Sequence, residues 1–208
     1  MLRSLRFAAF GVPTGVPGRI GGHLMATLNR GINMFAVDAL APQPTDRVLE
    51  IGHGPGTALV LLAARVPDGL VVGVDPSREM AAQARQRTRQ LQQHGRLALA
   101  LATAERLPFA ARQFDRVCSV NTLYFWPVLD DALAEIARVL RPGGRAVLAF
   151  RGQRRAPGGL LVRSVCGPDY TVAQVAERLS RQGFRSVQIQ TRRLPFITAV
   201  CLVAERAQ

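Results

Sequence analysis

The segment Arg47-Val48-Leu49-Glu50-Ile51-Gly52-His53-Gly54-Pro55-Gly56 decides the fold of this chain. A short apolar run carries one carboxylate, Glu50, and leads directly into three alternate glycines. An apolar stretch typical of a helix follows, so the segment predicts a strand, a tight turn and a helix start. Glycine lacks a Cβ and therefore suits a backbone that turns sharply or lets a ligand approach closely. Because Glu50 lies at the end of the strand, we expect this turn to disfavour a diphosphate and to favour a cationic ligand.

The glycine spacing resembles the first motif, E/D-x-G-x-G-x-G, of the class I S-adenosylmethionine-dependent methyltransferases, in particular their small-molecule branch (methyltransferase type 11 and UbiE-like enzymes). A dinucleotide-binding turn would instead read G-x-G-x-x-G, and Thr57 stands where its third glycine would fall. The resemblance implies methyl transfer as the activity and S-adenosyl-L-methionine as the cofactor. It further implies that Glu50 binds the methionine ammonium and that the methionine portion is walled by Gly52, His53, Gly54 and Gly56.

Residues 71–75 predict a second strand that ends in Asp75, 23 residues after Gly52. An acid at this position holds a ribose diol in nucleotide-binding folds, so we expect Asp75 to bind the cofactor ribose. Ser77 then predicts a helix N-cap. Met80 lies on the apolar stripe of that helix, and the resemblance implies that it packs against the nucleoside. Ordinary core packing is the alternative interpretation of Met80.

Residues 97–102 predict a third strand, and residues 102–109 are similar to the family segment G-D-A-x-x-L-P-F. In the family, the aspartate accepts a hydrogen bond from the adenine amino group. Thr103 stands at that position here, and a threonine hydroxyl can still accept such a bond without charge. We therefore expect Thr103 and Ala104 to contact the adenine. The neighbouring Glu105 is either a substitute acceptor or a surface acid paired with Arg106.

Residues 114–121 predict a fourth strand, which resembles the family strand F-D-x-V that ends beside the reacting methyl group. This resemblance puts Asn121 and Tyr124 at the methyl end, and Asn121 is also expected to contact the cofactor. The candidate catalytic residues are Asn121, Tyr124 and His23. A dedicated base is not required, since alignment of an already activated donor with its acceptor supplies much of the acceleration.

The rest of the chain continues the alternation of helices and strands. A helix is predicted over residues 130–140, a fifth strand over 146–150, a capped helix from 171, and two closing strands over 186–190 and 197–204. Two strands without an intervening helix indicate an antiparallel pair. The expected fold is therefore an α/β single-domain, doubly wound, seven-stranded sheet, mostly parallel with a reversed last strand, as in the Rossmann-like methyltransferase fold. We assign residues 44–208 to this cofactor-binding domain.

Residues 1–43 are interpreted as a leader that carries a lid helix. Pro13 interrupts the short apolar patch near the start, and no small-residue cleavage site follows it, so export is disfavoured. No run of about 18 apolar residues exists, which excludes a membrane-spanning helix, and a cytoplasmic location is expected. An imperfect apolar stripe over residues 22–40 predicts a helix, either a lid over the cofactor and substrate or a simple packing helix.

The formal net charge is +13, and all 27 basic residues are arginine. Such a surface favours anionic partners, but the complete absence of lysine beside abundant alanine indicates a compositional origin in GC-rich DNA. The arginines are scattered, so a nucleic-acid partner is not favoured and a small-molecule acceptor is expected. Phe125, Trp126 and Tyr170 suit an apolar or aromatic acceptor. An RNA methyltransferase, an NAD-type oxidoreductase and a non-catalytic cofactor-binding protein remain the alternatives.

The three cysteines, Cys118, Cys166 and Cys201, are far apart and lie in or near apolar strands. They have no metal-ligand spacing, so no metal site is expected and buried free thiols are the simplest account. The sequence leaves the acceptor and the oligomeric state open.

Overall fold

The protein is represented by a computed structural model, which describes residues 29–155, 159–162, 169–195 and 197–208. The described helices are α1 (Arg30–Leu40), α2 (Thr57–Arg65), α3 (Arg78–Arg87), α4 (Arg89–Gln93), α5 (Leu129–Val139) and α6 (Val172–Arg181), with a 3-10 turn at Leu123–Phe125. The described strands are β1 (Arg47–Ile51), β2 (Leu70–Asp75), β3 (Leu97–Leu101), β4 (Phe114–Val120), β5 (Leu140–Arg155), β6 (Gly159–Val162), β7 (Tyr170–Thr171), β8 (Phe184–Leu194) and β9 (Ile197–Arg206).

Seven of the described strands form one sheet in the order β3-β2-β1-β4-β5-β9-β8. Strands β1 to β5 are parallel to their neighbours in this order. Strand β9 runs antiparallel to both β5 and β8. The predicted seven-stranded, mostly parallel sheet with a reversed last strand is therefore confirmed.

Helices cover both faces of this sheet. Successive residues of β1 show the division, since Val48 belongs to the hydrophobic core that includes α1 and α2, whereas Leu49 belongs to the core that includes α5 and α6. A strand buried on both faces favours a nearly continuous apolar sequence, which β2 carries; β1 and β4 are also buried along most of their length but include charged residues such as Glu50 and Asp115. The sheet is thus the middle layer of three, and its strand ends are left to form a site.

The described part of the leader joins the same core. Helix α1 lies inside the predicted 22–40 stripe, and its residues Ile32, Phe35 and Leu40 are buried where α1 packs on α2 and on strands β4, β5 and β9. Residues 1–28, including His23 and the first half of that stripe, lie outside the described residues. Residues 30–40 therefore form a helix that belongs to the hydrophobic core.

Strand β5 is longer than the sequence pattern indicates. Residues 146–150 were expected, but pairing with β4 begins at Leu140 and resumes at Arg145 after a register shift. Gly143 within this interval has a φ of +73°. The Arg141-Pro142-Gly143-Gly144 string thus occupies an irregular interval of the β4–β5 ladder, between the Leu140 and Arg145 pairings. Beyond Phe150, β5 continues and pairs with β6, which in turn pairs with β7.

The predicted helix caps are present. Ser77 caps α3, with its hydroxyl accepting a hydrogen bond from the Met80 N–H at 3.3 Å. Thr171 and Gln174 form the capping box of α6.

Cys118 and Cys201 are buried free thiols, and Cys166 lies outside the described residues. Across the described ranges, no helix combines the length and hydropathy that a membrane span needs.

Candidate functional site

A cavity of about 290 Å³ opens where β1, β2 and β4 end. This is the edge at which ligands bind open parallel sheets. The cavity wall contains nine of the predicted cofactor residues: Glu50, Gly52, His53, Gly54, Asp75, Met80, Thr103, Ala104 and Asn121. Gly56 and Tyr124 lie outside this wall, and His23 falls outside the described residues.

The three glycines of the turn have different surroundings. All have positive φ angles, which are +73° at Gly52, +51° at Gly54 and +83° at Gly56. A Cβ on Gly52 would lie 2.2 Å from Thr122 Cγ2, and one on Gly56 would lie 3.1 Å from Ala84. A Cβ on Gly54 would meet no protein atom within 4 Å. Gly54 thus exposes backbone to the cavity, whereas Gly52 and Gly56 permit close packing of neighbouring elements.

Glu50 is the most unusual group of the wall. Its side chain is 2% exposed, and Oε2 has no hydrogen-bond partner among the described residues. Burial, with a smaller contribution from the charge of Asp75, raises the pKa of Glu50 well above its usual value. A buried carboxylate without a partner is costly, and a bound cation or hydrogen-bond donor would relieve that cost.

Asp75 joins the glycine turn to the start of α3. One carboxylate oxygen accepts a hydrogen bond from Gly54 N–H and the other from Ser77 N–H, both at 2.8 Å. The side chain is 7% exposed and lines the cavity. Each carboxylate oxygen can accept a second hydrogen bond, so Asp75 can hold the turn and still bind hydroxyl groups.

His53 presents one hydrogen-bond acceptor from inside the turn. Its Nδ1 lies 2.7 Å from Gly54 O, and because a carbonyl oxygen only accepts, Nδ1 must carry the hydrogen. Nε2 is buried and has no partner within the described chain. Burial lowers the pKa of His53, so the ring is neutral and Nε2 carries a lone pair.

The loop after β3 is the next wall segment. Thr103 is exposed and lines the cavity, as do Ala102 and Ala104. Glu105 also lines it, and its Oε1 is buried without a hydrogen-bond partner among the described residues. Within those residues, Glu105 makes no ion pair with Arg106, so that interpretation of the acid is not supported.

Helix α5 holds this loop from behind. Glu135 accepts a hydrogen bond from Leu107 N–H at 2.7 Å, and Arg138 donates to the carbonyls of Phe109 (2.7 Å) and Leu107 (3.1 Å). The two side chains also pair with each other at 2.6 Å. The hydrogen bond from Arg138 is the main cause that lowers the pKa of Glu135.

Replacing Arg138 by alanine is expected to lower the free energy of unfolding by about 1–2 kcal/mol at neutral pH, with partial exposure of the pair keeping the effect modest. Because the pKa of Glu135 is lower in the folded state, its contribution is present above the ordinary value of 4.5 and is lost as the pH falls through the folded value. Urea unfolding between pH 7 and pH 3 should therefore show the deficit of R138A shrinking in acid. The exposed Arg181, paired with Glu177 along α6, is the control, and an equal loss in R181A would contradict the interpretation.

Asn121 and Tyr124 belong to a hydrogen-bonded group at the other end of the cavity. Tyr124 donates to Asn121 Oδ1 at 3.1 Å and accepts from the Arg151 N–H at 2.6 Å. Burial raises the pKa of Tyr124 to about 12. Asn121 in turn donates to Asn29 Oδ1 at 3.1 Å. The tyrosine hydroxyl is therefore protonated at neutral pH and engaged on both sides.

Two wall residues, Asn29 at the N-cap of α1 and Asn33 within it, are not among the residues predicted from the sequence. Their spacing of four residues places both on one side of the helix, and this polar pair on an otherwise apolar face was the available signal.

The three predicted aromatic residues lie in two places. Phe125 and Trp126 line the cavity, whereas Tyr170 stacks against Arg178, with the guanidinium carbon 5.1 Å from the ring centre. Across the described ranges, no cluster of three metal-ligating side chains occurs.

Comparisons with known proteins agree with this geometry. The family model described as a methyltransferase domain matches residues 48–144. The chain is 26% identical over 190 residues to an uncharacterised methyltransferase of Bacillus subtilis, YdaC, and the alignment covers 90% of this chain and 98% of that protein. It is 34% identical over 174 residues to a malonyl-[acyl-carrier protein] O-methyltransferase of Geobacter sulfurreducens, covering 78% of this chain and 63% of the relative. A UbiE C-methyltransferase of Geotalea daltonii is 31% identical over 122 residues, covering 58% of this chain and 52% of the relative.

Solved structures show the same fold at low sequence identity. A methyltransferase from Aquifex aeolicus superposes with a TM-score of 0.70 at 18% identity, covering 88% of this chain and 97% of that one. A geranyl diphosphate methyltransferase bound to sinefungin gives a TM-score of 0.72 at 18% identity, covering 87% and 80% of the two chains. Together with the motifs in the cavity wall and the family match, these findings identify the chain as a member of the class I S-adenosylmethionine-dependent methyltransferases.

Proposed function

We propose that this methyltransferase binds S-adenosylmethionine in the cavity above β1, β2 and β4 and transfers its methyl group to a small-molecule acceptor. One observation carries the proposal. The chain has a net charge of +13, yet the charged side chains of the cavity wall are Glu50, Asp75 and Glu105, and the wall contains no arginine among the described residues. An acidic wall suits an ammonium and a sulfonium, and it repels a diphosphate.

Each wall residue then has a role in binding. Glu50 pairs with the methionine ammonium, Gly52 lines that end of the cavity, and the open backbone of Gly54 lets the cofactor approach closely. Asp75 accepts hydrogen bonds from the ribose hydroxyls, and Met80 packs against the nucleoside. Thr103 and Ala104 contact the adenine, with Glu105 as the charged acceptor beside them. Gly56 acts instead through its packing against Ala84.

The cofactor supplies an activated methyl group on a sulfonium. The chain must therefore align the acceptor with that group and exclude water, and alignment alone can be worth roughly 7–11 kcal/mol of the barrier. Asn121 lies in the wall at the end of β4, where it can orient an acceptor. Tyr124 orients Asn121 through its hydroxyl and is not available as a base in its protonated form. His23 remains a prediction.

The acceptor end of the cavity is apolar, with Phe125, Trp126 and Pro127 in its wall. This surface supports a small apolar or aromatic acceptor over RNA. A relative named as a ubiquinone/menaquinone biosynthesis C-methyltransferase is in keeping with such an acceptor.

The direct test is incubation with S-adenosylmethionine carrying a deuterated methyl group, a pool of cell metabolites and, separately, total RNA. We expect the deuterated methyl group in a compound of low mass. Label found only in RNA would favour the RNA alternative, and binding of the cofactor without any labelled product would favour a non-catalytic protein. Binding of NAD in its place would contradict the proposal.

Replacing Glu50 by glutamine is expected to weaken cofactor binding about 10- to 150-fold, which corresponds to the 1.5–3 kcal/mol of a charge-assisted hydrogen bond. The carboxylate form binds the ammonium, so affinity in the wild type should fall as the pH drops below the raised pKa of Glu50. Calorimetry in buffers of different ionisation enthalpy should detect a proton released on binding, and E50Q should lack it. Glu177→Gln, at an exposed ion pair, is the matched control.

The same pKa shift predicts an opposite effect on the ligand-free protein. Because the pKa of Glu50 is higher in the folded state, its contribution to stability is greatest below 4.5 and is lost as the pH rises through the folded value. E50Q should remove that component of the pH dependence. A wild-type pH profile in E50Q, for both binding and unfolding, would show that Glu50 is not the titrating group.

A further inference from the structure

Four residues at the α1 end of the cavity form a closed ring of hydrogen bonds. Arg151 Nη2 donates to Asn29 Oδ1 at 2.8 Å, and Asn121 Nδ2 donates to the same oxygen at 3.1 Å. Tyr124 donates to Asn121 Oδ1, and the main-chain N–H of Arg151 donates to the tyrosine oxygen. The ring thus joins the start of α1, the turn after β4 and strand β5.

The polarity of this ring is fixed by Arg151. A guanidinium can only donate, so the Asn29 atom that faces it must be the amide oxygen. That oxygen then accepts two hydrogen bonds, from Arg151 and from Asn121, and its capacity is filled. The NH₂ group of Asn29 is left outside the ring and has no partner among the described residues. Since Asn29 lines the cavity, this double donor is available to a ligand there.

Asn33 supplies a second amide on the same helix. It lies one turn further along α1, is only 6% exposed and lines the cavity. Its side chain makes no hydrogen bond within the described part of the chain. Buried amides are normally paired, so an amide that the described chain leaves unpaired in a cavity wall is available to a polar ligand group.

The electrostatics of this end differ from those of the rest of the wall. Arg151 has no ion pair among the described residues, and its positive charge lies directly behind Asn29. The charged groups of the wall itself are carboxylates, at or just after the ends of β1, β2 and β3. The α1 end is therefore where a negative charge on a ligand is favoured.

We propose that Asn29 and Asn33, backed by the guanidinium of Arg151, form a subsite for a carboxylate. This inference rests on the proposed function, because the subsite belongs to the same cavity. Two sources present this group. The amino-acid end of S-adenosylmethionine carries a carboxylate next to the ammonium that Glu50 binds, and an acceptor molecule can carry one as well.

The test uses Asn29→Asp, which keeps the accepting oxygen of the ring and replaces the NH₂ donor by a carboxylate oxygen. The probes are S-adenosylhomocysteine and its decarboxylated analogue, which retains the ammonium. If the subsite binds the cofactor, N29D should weaken S-adenosylhomocysteine roughly tenfold or more and leave the decarboxylated analogue as tight or tighter. Asn33→Asp, which does not touch the ring, should change the same ratio in the same direction.

If the acceptor is the source, S-adenosylhomocysteine should bind N29D as it binds the wild type. Acetate titrated into the S-adenosylhomocysteine complex should then bind the wild type and not N29D. Gln93→Glu, on exposed α4, adds the same charge away from the cavity and controls for net charge. Unchanged S-adenosylhomocysteine binding in both variants, together with no acetate binding to the wild-type complex, would overturn the subsite. Failure of the wild type to bind S-adenosylhomocysteine at all would instead overturn the proposed function.

Discussion

Asp75→Ala should abolish measurable cofactor binding and also destabilise the fold. The side chain is buried, and its two oxygens accept from Gly54 N–H and Ser77 N–H. Removing it leaves two main-chain donors without partners, at about 1–3 kcal/mol each. It also removes the proposed ribose contact, so turn geometry and ligand contact are lost together. Urea unfolding and calorimetry with S-adenosylhomocysteine measure the two effects.

Two further variants make this prediction sharper. Asp75→Asn keeps one accepting oxygen and the shape of the side chain, so its loss of stability should be smaller than that of D75A. Asp68→Ala, at an exposed turn before the other end of β2, should change neither quantity. If D75A binds S-adenosylhomocysteine like the wild type, Asp75 is only a structural acid and its assignment to the ribose is wrong.

The sheet could be predicted from the sequence because its signals are local. An apolar run of five or six residues, a glycine turn and a capped helix are each set by neighbouring residues, and their order along the chain specifies the topology. The ends of β5 and β8 could not be predicted in the same way. The Pro142-Gly143-Gly144 string falls within the span of β5, at an irregular interval of its pairing with β4, and that pairing depends on contacts far away in sequence.

The residues of the cavity wall show the same distinction between local signals and distant contacts. Glu50, Gly54 and Asp75 were identified because each lies within a motif at a strand end, and strand ends meet at one edge of a parallel sheet. Asn29 was missed because its ring partners Asn121 and Arg151 are 92 and 122 residues away. The i, i+4 spacing of Asn29 and Asn33 could indicate a polar side of the helix, but not these distant contacts.

Arginine content was equally uninformative about the site. A chain with a net charge of +13 suggests an anionic ligand, but the described cavity wall carries carboxylates and no arginine. Among the described residues, Arg151 donates a hydrogen bond to Asn29 of this wall without itself lining the cavity. Composition reports the surface as a whole, whereas specificity depends on the few charges that the strand ends bring together.

Gly52→Ala should remove cofactor binding through a clash that reaches the turn after β4. The added methyl would lie 2.2 Å from Thr122 Cγ2 and 2.8 Å from Thr122 Cβ, and the φ of +73° is unfavourable for alanine. Thr122 cannot easily move away, since its hydroxyl contacts both Ser119 and the Ile51 carbonyl. Overpacking of about 1–3 kcal/mol and a left-handed penalty of about 1–2 kcal/mol should add. Displacing Thr122 also displaces the adjacent Asn121 of the cavity wall.

Gly95→Ala separates the two causes, because Gly95 has a similar φ of +68° and an added Cβ there would meet nothing within 4 Å. G95A should show only the left-handed penalty in urea unfolding and should bind S-adenosylhomocysteine normally. The double variant Gly52→Ala with Thr122→Ala removes the nearest methyl and should recover part of the lost stability. If G52A and G95A are equally stable, or if the double variant recovers nothing, then the contact between Gly52 and Thr122 is not what makes glycine necessary at the first position of the turn.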